Sequence, residues 1–275
     1  MMLIAVAMAC AILQDPGENR EECKKALDTF HAATNGAPEP GKISAINELA
    51  HHVCTASVAA IAHYLSSESP ALRIAAAKAL GTMDHPKSVE ALANAVVPSE
   101  ADKTVFDAVV KAVEKVDYES GAESLHAVLA RFHEQGMLDY VKEVIPVLGK
   151  LGSGGSVDPL LTLLEHVETE SKGGRVGKVR TANNTAQNKA LAALAGPIKA
   201  ALAAITGGNQ PNSTLWRDWW QANKESLTAG ATIVYRCKLT GKRWSQTAGE
   251  AQSCPNHDKP EKDGQPVKVL LHSKT

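Results

Sequence analysis

The residues of this chain best suited to hold a metal ion lie near its C-terminal end: Cys237, then Cys254-Pro255-Asn256-His257. A Cys-x-x-His spacing lets two ligands from one tight turn face the same ion, and Cys237 would reach it from an adjacent hairpin. A tetrahedral zinc site also needs a fourth ligand, for which His272, Asp258 or water is available. The same two thiols can instead close a disulfide. The Cys237–Cys254 disulfide, with no cofactor, is the preferred reading; zinc on Cys237, Cys254 and His257 is the alternative. Cys23 and Cys54 form a second pair, read equally as a disulfide or as two small buried apolar side chains.

Other chemistry is sparse. His51 and His52 stand beside Cys54 without the i, i+4 placement that puts two ligands on one helix face. The sequence has no Gly-x-Ser-x-Gly nucleophile elbow, P-loop or dinucleotide fingerprint. Gly173 to Lys178 falls one residue short of P-loop spacing and lacks the Ser or Thr that follows it. No enzymatic activity is expected. Lys172, Arg175, Lys178 and Arg180 make a basic stretch suited to an acidic partner or to phosphate groups. A net charge of −1 gives no overall pull towards nucleic acid or an anionic membrane; nucleic acid is not expected as a partner, nor is a membrane span.

The cysteine pair at the end needs elements to hold it. Thr232 to Cys237 is rich in β-branched residues and reads as a strand. Thr240-Gly241 supplies a turn, Lys242-Arg243-Trp244 returns, and Pro266 to Leu271 makes a third strand. Residues 231–275 thus read as a small β appendage, too small to persist without a staple. Tyr-x-Cys, Thr-Gly-Lys and Cys-Pro-x-His, taken in order, resemble a degenerate zinc ribbon. Thr240 stands where a ribbon has the second ligand of its first knuckle.

The rest of the chain is periodic. Leu49, Leu80, Val113 and Leu148 mark the ends of successive helices, at spacings of 31, 33 and 35 residues. Three residues before each stand Ile46, Ala77, Val110 and Ile145. Twelve residues beyond each anchor come Ile61, Leu92, Leu125 and Leu160, with Leu65, Val96, Leu129 and Leu164 one turn later on the same face. Val58, Val89, Ala122 and Val157 complete the second helices. Ser69-Pro70 is a cap followed by a proline suited to a first turn. Gly81 and Gly149 follow their anchors and are expected to end those helices in the left-handed conformation. Only 4% of the chain is aromatic although 44% is hydrophobic, so alanine supplies much of the apolar surface and thin stacked layers are expected.

Leu80-Gly81, Val89, Leu92 and Val96, and again Leu148-Gly149, Val157-x-Pro159-Leu160 and Leu164, resemble the HEAT repeat family over roughly residues 41–227. Armadillo-like and other helical hairpins share this pattern. The resemblance implies an all-α chain, a right-handed α-solenoid of stacked helical hairpins that binds an unidentified protein partner. It does not imply catalysis. The period breaks at residues 168–186, read as an inserted loop, and resumes with Leu202 as the next anchor. Pro197 is expected to kink or split that helix. Trp216, Trp219 and Trp220 then crowd one short helix, read as an end cap with Arg217, Asp218 and Lys224 towards water, or as an aromatic ligand platform. A Trp-Arg-x-Trp-Trp segment after such repeats resembles the closing helix of secreted bacterial HEAT-like proteins.

Met1 to Leu13 is an uncharged apolar run, too short for the roughly 20 residues of a membrane span. It suits a signal peptide over residues 1–14, with Ala7-Met8-Ala9 as the cleavage pattern. Cys10 is an alternative site of lipid attachment. Export would place the remaining four cysteines in an oxidising compartment. The expected organisation is a leader, a helical solenoid over 18–227 and the β appendage.

Overall fold

The computed structural model describes residues 20–134, 137–171, 188–237, 243–248 and 264–271, with the backbone alone at 132–134 and 264–269. The expected signal segment at residues 1–14 with Cys10, the basic residues Lys172, Arg175, Lys178 and Arg180, and Cys254 and His257 lie outside these residues. The described residues fall into two compact units. One runs to Gly121 and includes Tyr235–Trp244; the other holds Ala122–Val234, Ser245–Ala251 and Val267–Thr275.

In the first unit the helices are α1 (Arg20–Thr34), α2 (Glu39–Leu49), α3 (Thr55–Ala62), α4 (Pro70–Leu80), α5 (Pro86–Val96) and α6 (Lys103–Val116). Their starts are chemically marked. Ser69 Oγ accepts the Leu72 N–H at 3.3 Å, and Asp102 Oδ1 accepts those of Thr104 and Val105 at 2.9 and 3.3 Å. Each satisfies donors that a helix end leaves without partners. α2 packs on α4 and α4 on α6, while α3 packs on α5, so like helices of successive hairpins stack on like. α1 covers α2 and α3. The Cys23 and Cys54 sulfurs are at disulfide distance, with Cα atoms 6.4 Å apart.

α7 (Glu119–Glu134) begins in the first unit and continues into the second. The second unit adds α8 (Leu138–Leu151), α9 (Val157–Ser171), α10 (Ala195–Thr206) and α11 (Ser213–Ala229). α8 packs on α10, and α9 on both α10 and α11. Three strands close the chain: β1 (Thr232–Cys237), β2 (Arg243–Thr247) and β3 (Gly264–Leu270), in the order β2-β1-β3. An antiparallel bridge joins Ser153 to Leu270.

Every residue of the repeat pattern is buried except Leu65, which is half-exposed in the short 3-10 turn after α3. Burying one such leucine or valine contributes about 1.5–3 kcal/mol, and the layers are held mainly by that sum. The glycine expectation is corrected. Gly81 has φ −64°, and Gly149 lies inside α8. Both are needed for space. A β-carbon at Gly81 would lie 2.9 Å from Ala112 Cα of α6, and one at Gly149 3.0 Å from Ala201 Cα of α10. Ala112 and Ala201 immediately precede the anchors Val113 and Leu202. α8 does end left-handed, three residues later, at Gly152 with φ 69°.

The helix around Pro197 is split as expected: a turn at 193–194 separates helical residues 188–192 from α10. Pro197 is the third residue of α10, where its missing N–H costs nothing and its ring disfavours a helical carbonyl at Ala193, four residues back. The run Asn188–Thr206 is long and apolar enough to cross a membrane by length and composition. Its Leu191, Leu194, Ile198, Leu202 and Ile205 are buried against protein. Trp216 and Trp220 are buried too, which removes them from any exposed platform. Arg217 lies on the partly exposed side of α11 and also pairs back onto α9. Its Nε pairs with Glu165 at 2.8 Å and its Nη1 with Asp158 at 3.1 Å, both on α9. α9 runs to Ser171, so Glu168 is helical. Its Oε2 accepts the N–H and hydroxyl of Ser213 at 3.0 and 2.9 Å, capping α11.

Gly81→Ala and Gly41→Ala should therefore act oppositely. The first forces α4 from α6 and costs about 1–3 kcal/mol; the second, inside α2, meets only ordinary van der Waals contacts and gains up to about 1 kcal/mol from helix propensity. Urea midpoints of the two variants check this. A pH effect follows from His126, whose Nε2 lies 2.8 Å from Ser156 Oγ. Burial holds this imidazole below its ordinary value of 6.5, so the unfolded chain binds the proton first. Its contribution is whole above that value and drains as pH falls below it. Thermal melts across this range should show a smaller acid loss for His126→Gln than for the unaltered chain.

Candidate functional site

The densest polar cluster among the described residues is one that the sequence alone does not announce. It lies in the first unit, where Asp84, in the turn between α4 and α5, meets Tyr118, Arg236 and Arg243. The turn is rigid because its backbone is paired: Gly81, Thr82 and Met83 N–H groups donate to Ala77, Ala79 and Leu80 carbonyls at 2.9–3.1 Å. Met83 is fully buried beneath it. Asp84 is thereby held outward, towards β1 and β2.

Arg243 of β2 makes a two-pronged pair with Asp84, Nη2 to Oδ1 at 2.8 Å and Nε to Oδ2 at 3.0 Å. Such forked pairs combine charge with fixed geometry. The same Nη2 donates to the Val116 carbonyl at 2.7 Å, and Nη1 to the Asp117 carbonyl at 3.3 Å. Val116 is the last residue of α6, so the guanidinium satisfies an unpaired carbonyl at the negative end of a helix dipole. Asp117 is left-handed, at φ 61°, a conformation that Asp tolerates better than most residues. It aims its carbonyl at Arg243.

Tyr118 completes the cluster. Its hydroxyl donates to Asp84 Oδ1 at 3.0 Å, and its ring lies under the Arg243 guanidinium at 4.7 Å. Burial first, and then the Asp84 charge, push the phenol far above its ordinary range despite both arginines. It stays a donor at any working pH. Burial alone would weaken the charge on Arg243, but its bonds and attraction to Asp84 outweigh that and raise its pKa. Arg236, 8% exposed, points Nε at Asp84 Oδ1 from 3.8 Å. Tyr235 and Trp244 stack beside it, centroids 5.4 Å apart. Asp84, Tyr118 and Arg243 are bonded to one another, whereas Arg236 Nε and Trp244 Nε1 are buried without a hydrogen-bond partner among the described residues. The cluster is a clamp joining strands to repeats.

A second feature of the same unit is a recess of about 670 Å³ between α1 and α2. Phe30, Ala45 and Leu49 form its floor, with Glu22, Lys25, Glu48 and His52 among its rim. Of the sequence-derived site residues, Cys23 and Cys54 are brought together here, tying α1 to the start of α3. Cys237 is buried at the end of β1. Among the described residues no three His, Cys, Asp or Glu side chains form a metal-binding group.

The clamp was missed because its members are far apart in sequence. Asp84 and Arg243 are 159 residues apart; Asp84 and Asp117 share a repeat position, four residues past the anchors Leu80 and Val113, but that position carries no mark of Arg243. A further local sign is that Arg236 and Arg243 each stand beside an aromatic residue, Tyr235 and Trp244. Arg243→Lys should expose the clamp's geometry. A lysine keeps the charge but can neither fork to Asp84 nor stack on Tyr118. Urea unfolding should show a loss of about 1–2 kcal/mol, with faster amide exchange in β2.

The family model for HEAT repeats matches residues 27–113 and 60–135, which run from α1 to the anchor Val113 and from α3 through α7. No curated protein matches the chain. HEAT repeats generally mediate contacts between proteins, and residues 27–135 of this chain match that family's model.

Proposed function

We propose that this chain is a non-enzymatic scaffold that binds a protein partner outside the cytosol, with the α1–α2 recess as a contact site. The carrying observation is the HEAT match over residues 27–135, coincident with stacked hairpins whose first member is open on one side. A partner helix laid in the recess would set apolar side chains on Phe30, Ala45 and Leu49 between two polar rims, the arrangement by which helices dock in grooves. In this reading Met1 to Leu13 is the export signal, and no cofactor is needed. A disulfide between Cys23 and Cys54, separated by 31 residues, would hold the recess wall and add about 3–4 kcal/mol by constraining the unfolded chain. The Cys237–Cys254 pair is assigned the same role in the tail.

Ala33→Arg and Ser44→Arg test this, since both side chains line the recess and both residues are exposed. Proteins crosslinked to the tagged full chain in its native cells should be lost from both variants, while melting temperatures stay unchanged. Equal capture by the variants and the unaltered chain would sink the assignment of this surface.

A further inference from the structure

We propose that His85 is an acid-sensitive latch, whose protonation loosens both the seam between α3 and α5 and the attachment of the strands at Asp84. The ring is 3% exposed and lies in the turn that carries the clamp. Its Nδ1 accepts the Lys87 N–H at 3.1 Å, so the imidazole itself caps α5. Its Nε2 lies 3.4 Å from Thr55 Oγ1, on the first residue of α3. One ring thus bridges the starts of two successive stacked helices.

The bonding defines the proton. Nδ1 faces a backbone donor and must offer a lone pair, so the hydrogen of the neutral ring sits on Nε2 and points at Thr55. Taking up a proton from water converts the Nδ1 lone pair into an N–H that faces the Lys87 N–H. The cap is then replaced by two opposed donors. The new positive charge also lies at the positive ends of two helix dipoles. Relief requires the ring to leave its site, and its backbone neighbour is Asp84.

The charged groups of α4 and α5 and those around Asp84 are turned to other partners or to water. α3 carries none in its eight residues. On α5, Lys87 and Glu90 pair with each other at 2.7 Å. On α4, Arg73 pairs with Asp102 at 3.7 Å and Lys78 is exposed. Asp84 is engaged by Arg243, Arg236 and Tyr118, with Asp117 beside Arg243. His51 and His52, just before α3, are exposed.

Amide hydrogen exchange of the full chain tests the latch. Corrected for intrinsic rates, exchange in both α5 and β2 should accelerate by about tenfold or more between about pH 7.5 and about pH 5. His85→Asn keeps a side-chain cap without a titrating group; it should show less than about a threefold change over the same interval. Asp84→Asn should loosen β2 at both pH values and leave α5 unchanged. An unaltered chain insensitive to acid at α5 and β2, or a His85→Asn variant as acid-sensitive as the unaltered chain, would overturn the proposal. So would an acid response confined to α5, because the turn would then not transmit it.

Discussion

Contact between successive first helices is set by the absence of a side chain. At Gly81 against Ala112, and at Gly149 against Ala201, a β-carbon would press on backbone, which cannot yield as a flexible side chain can. This closeness lets short helices with alanine-rich faces bury enough surface to stack. α4 shows the economy most plainly, burying Leu72, Ala75, Ala76, Ala77, Ala79 and Leu80 along eleven residues. Larger side chains there would increase the transferable area but hold the helices apart. The low aromatic content and the glycines after the anchors are two expressions of one packing constraint.

Close layers leave the inter-helix turns as the places where other elements attach. In the first unit, the turn after α4 carries Asp84 and holds β1 and β2 by ion pairs. In the second unit, the turn after α8 bridges Ser153 to Leu270, and Leu271 covers Gly154 closely enough to exclude a β-carbon. The clamp at Asp84 has a dual economy. Arg243 answers a carboxylate and the loose carbonyl at the end of α6 with one guanidinium, so the strand and the helix terminus each supply what the other lacks. Charge does similar work at the end of the second unit, where Glu168 caps α11 and Arg217 of α11 returns to Asp158 and Glu165.

The repeat was legible because it is local and periodic. Helix faces recur every few residues, and Leu49, Leu80, Val113 and Leu148 head faces that are buried as their spacing demands. Leu65 departs because α3 gives way to a 3-10 turn at His63, which rotates that position away from the layer. Gly81 and Gly149 were misread for an instructive reason. A glycine after a helical leucine suits a left-handed end, and nothing local distinguishes that use from a backbone brought close by another layer. Asp117 shows the converse, a left-handed end without glycine, retained where its carbonyl meets Arg243.

By itself, the sequence determined the helical hairpins, their order, their buried faces and the strand character of residues 232–237 and 266–270. These follow from short-range periodicity and capping chemistry, which each segment carries alone. Only the tertiary structure decided which small residues touch, which acids Arg217 answers, and that Asp84, Tyr118 and Arg243 meet. Those choices depend on pairs brought together across tens to more than a hundred residues, and a charge or a glycine bears no mark of its distant partner. The recess between α1 and α2 is of the same kind. It is formed by two ordinary amphipathic faces and exists only because of the angle at which the layers place them.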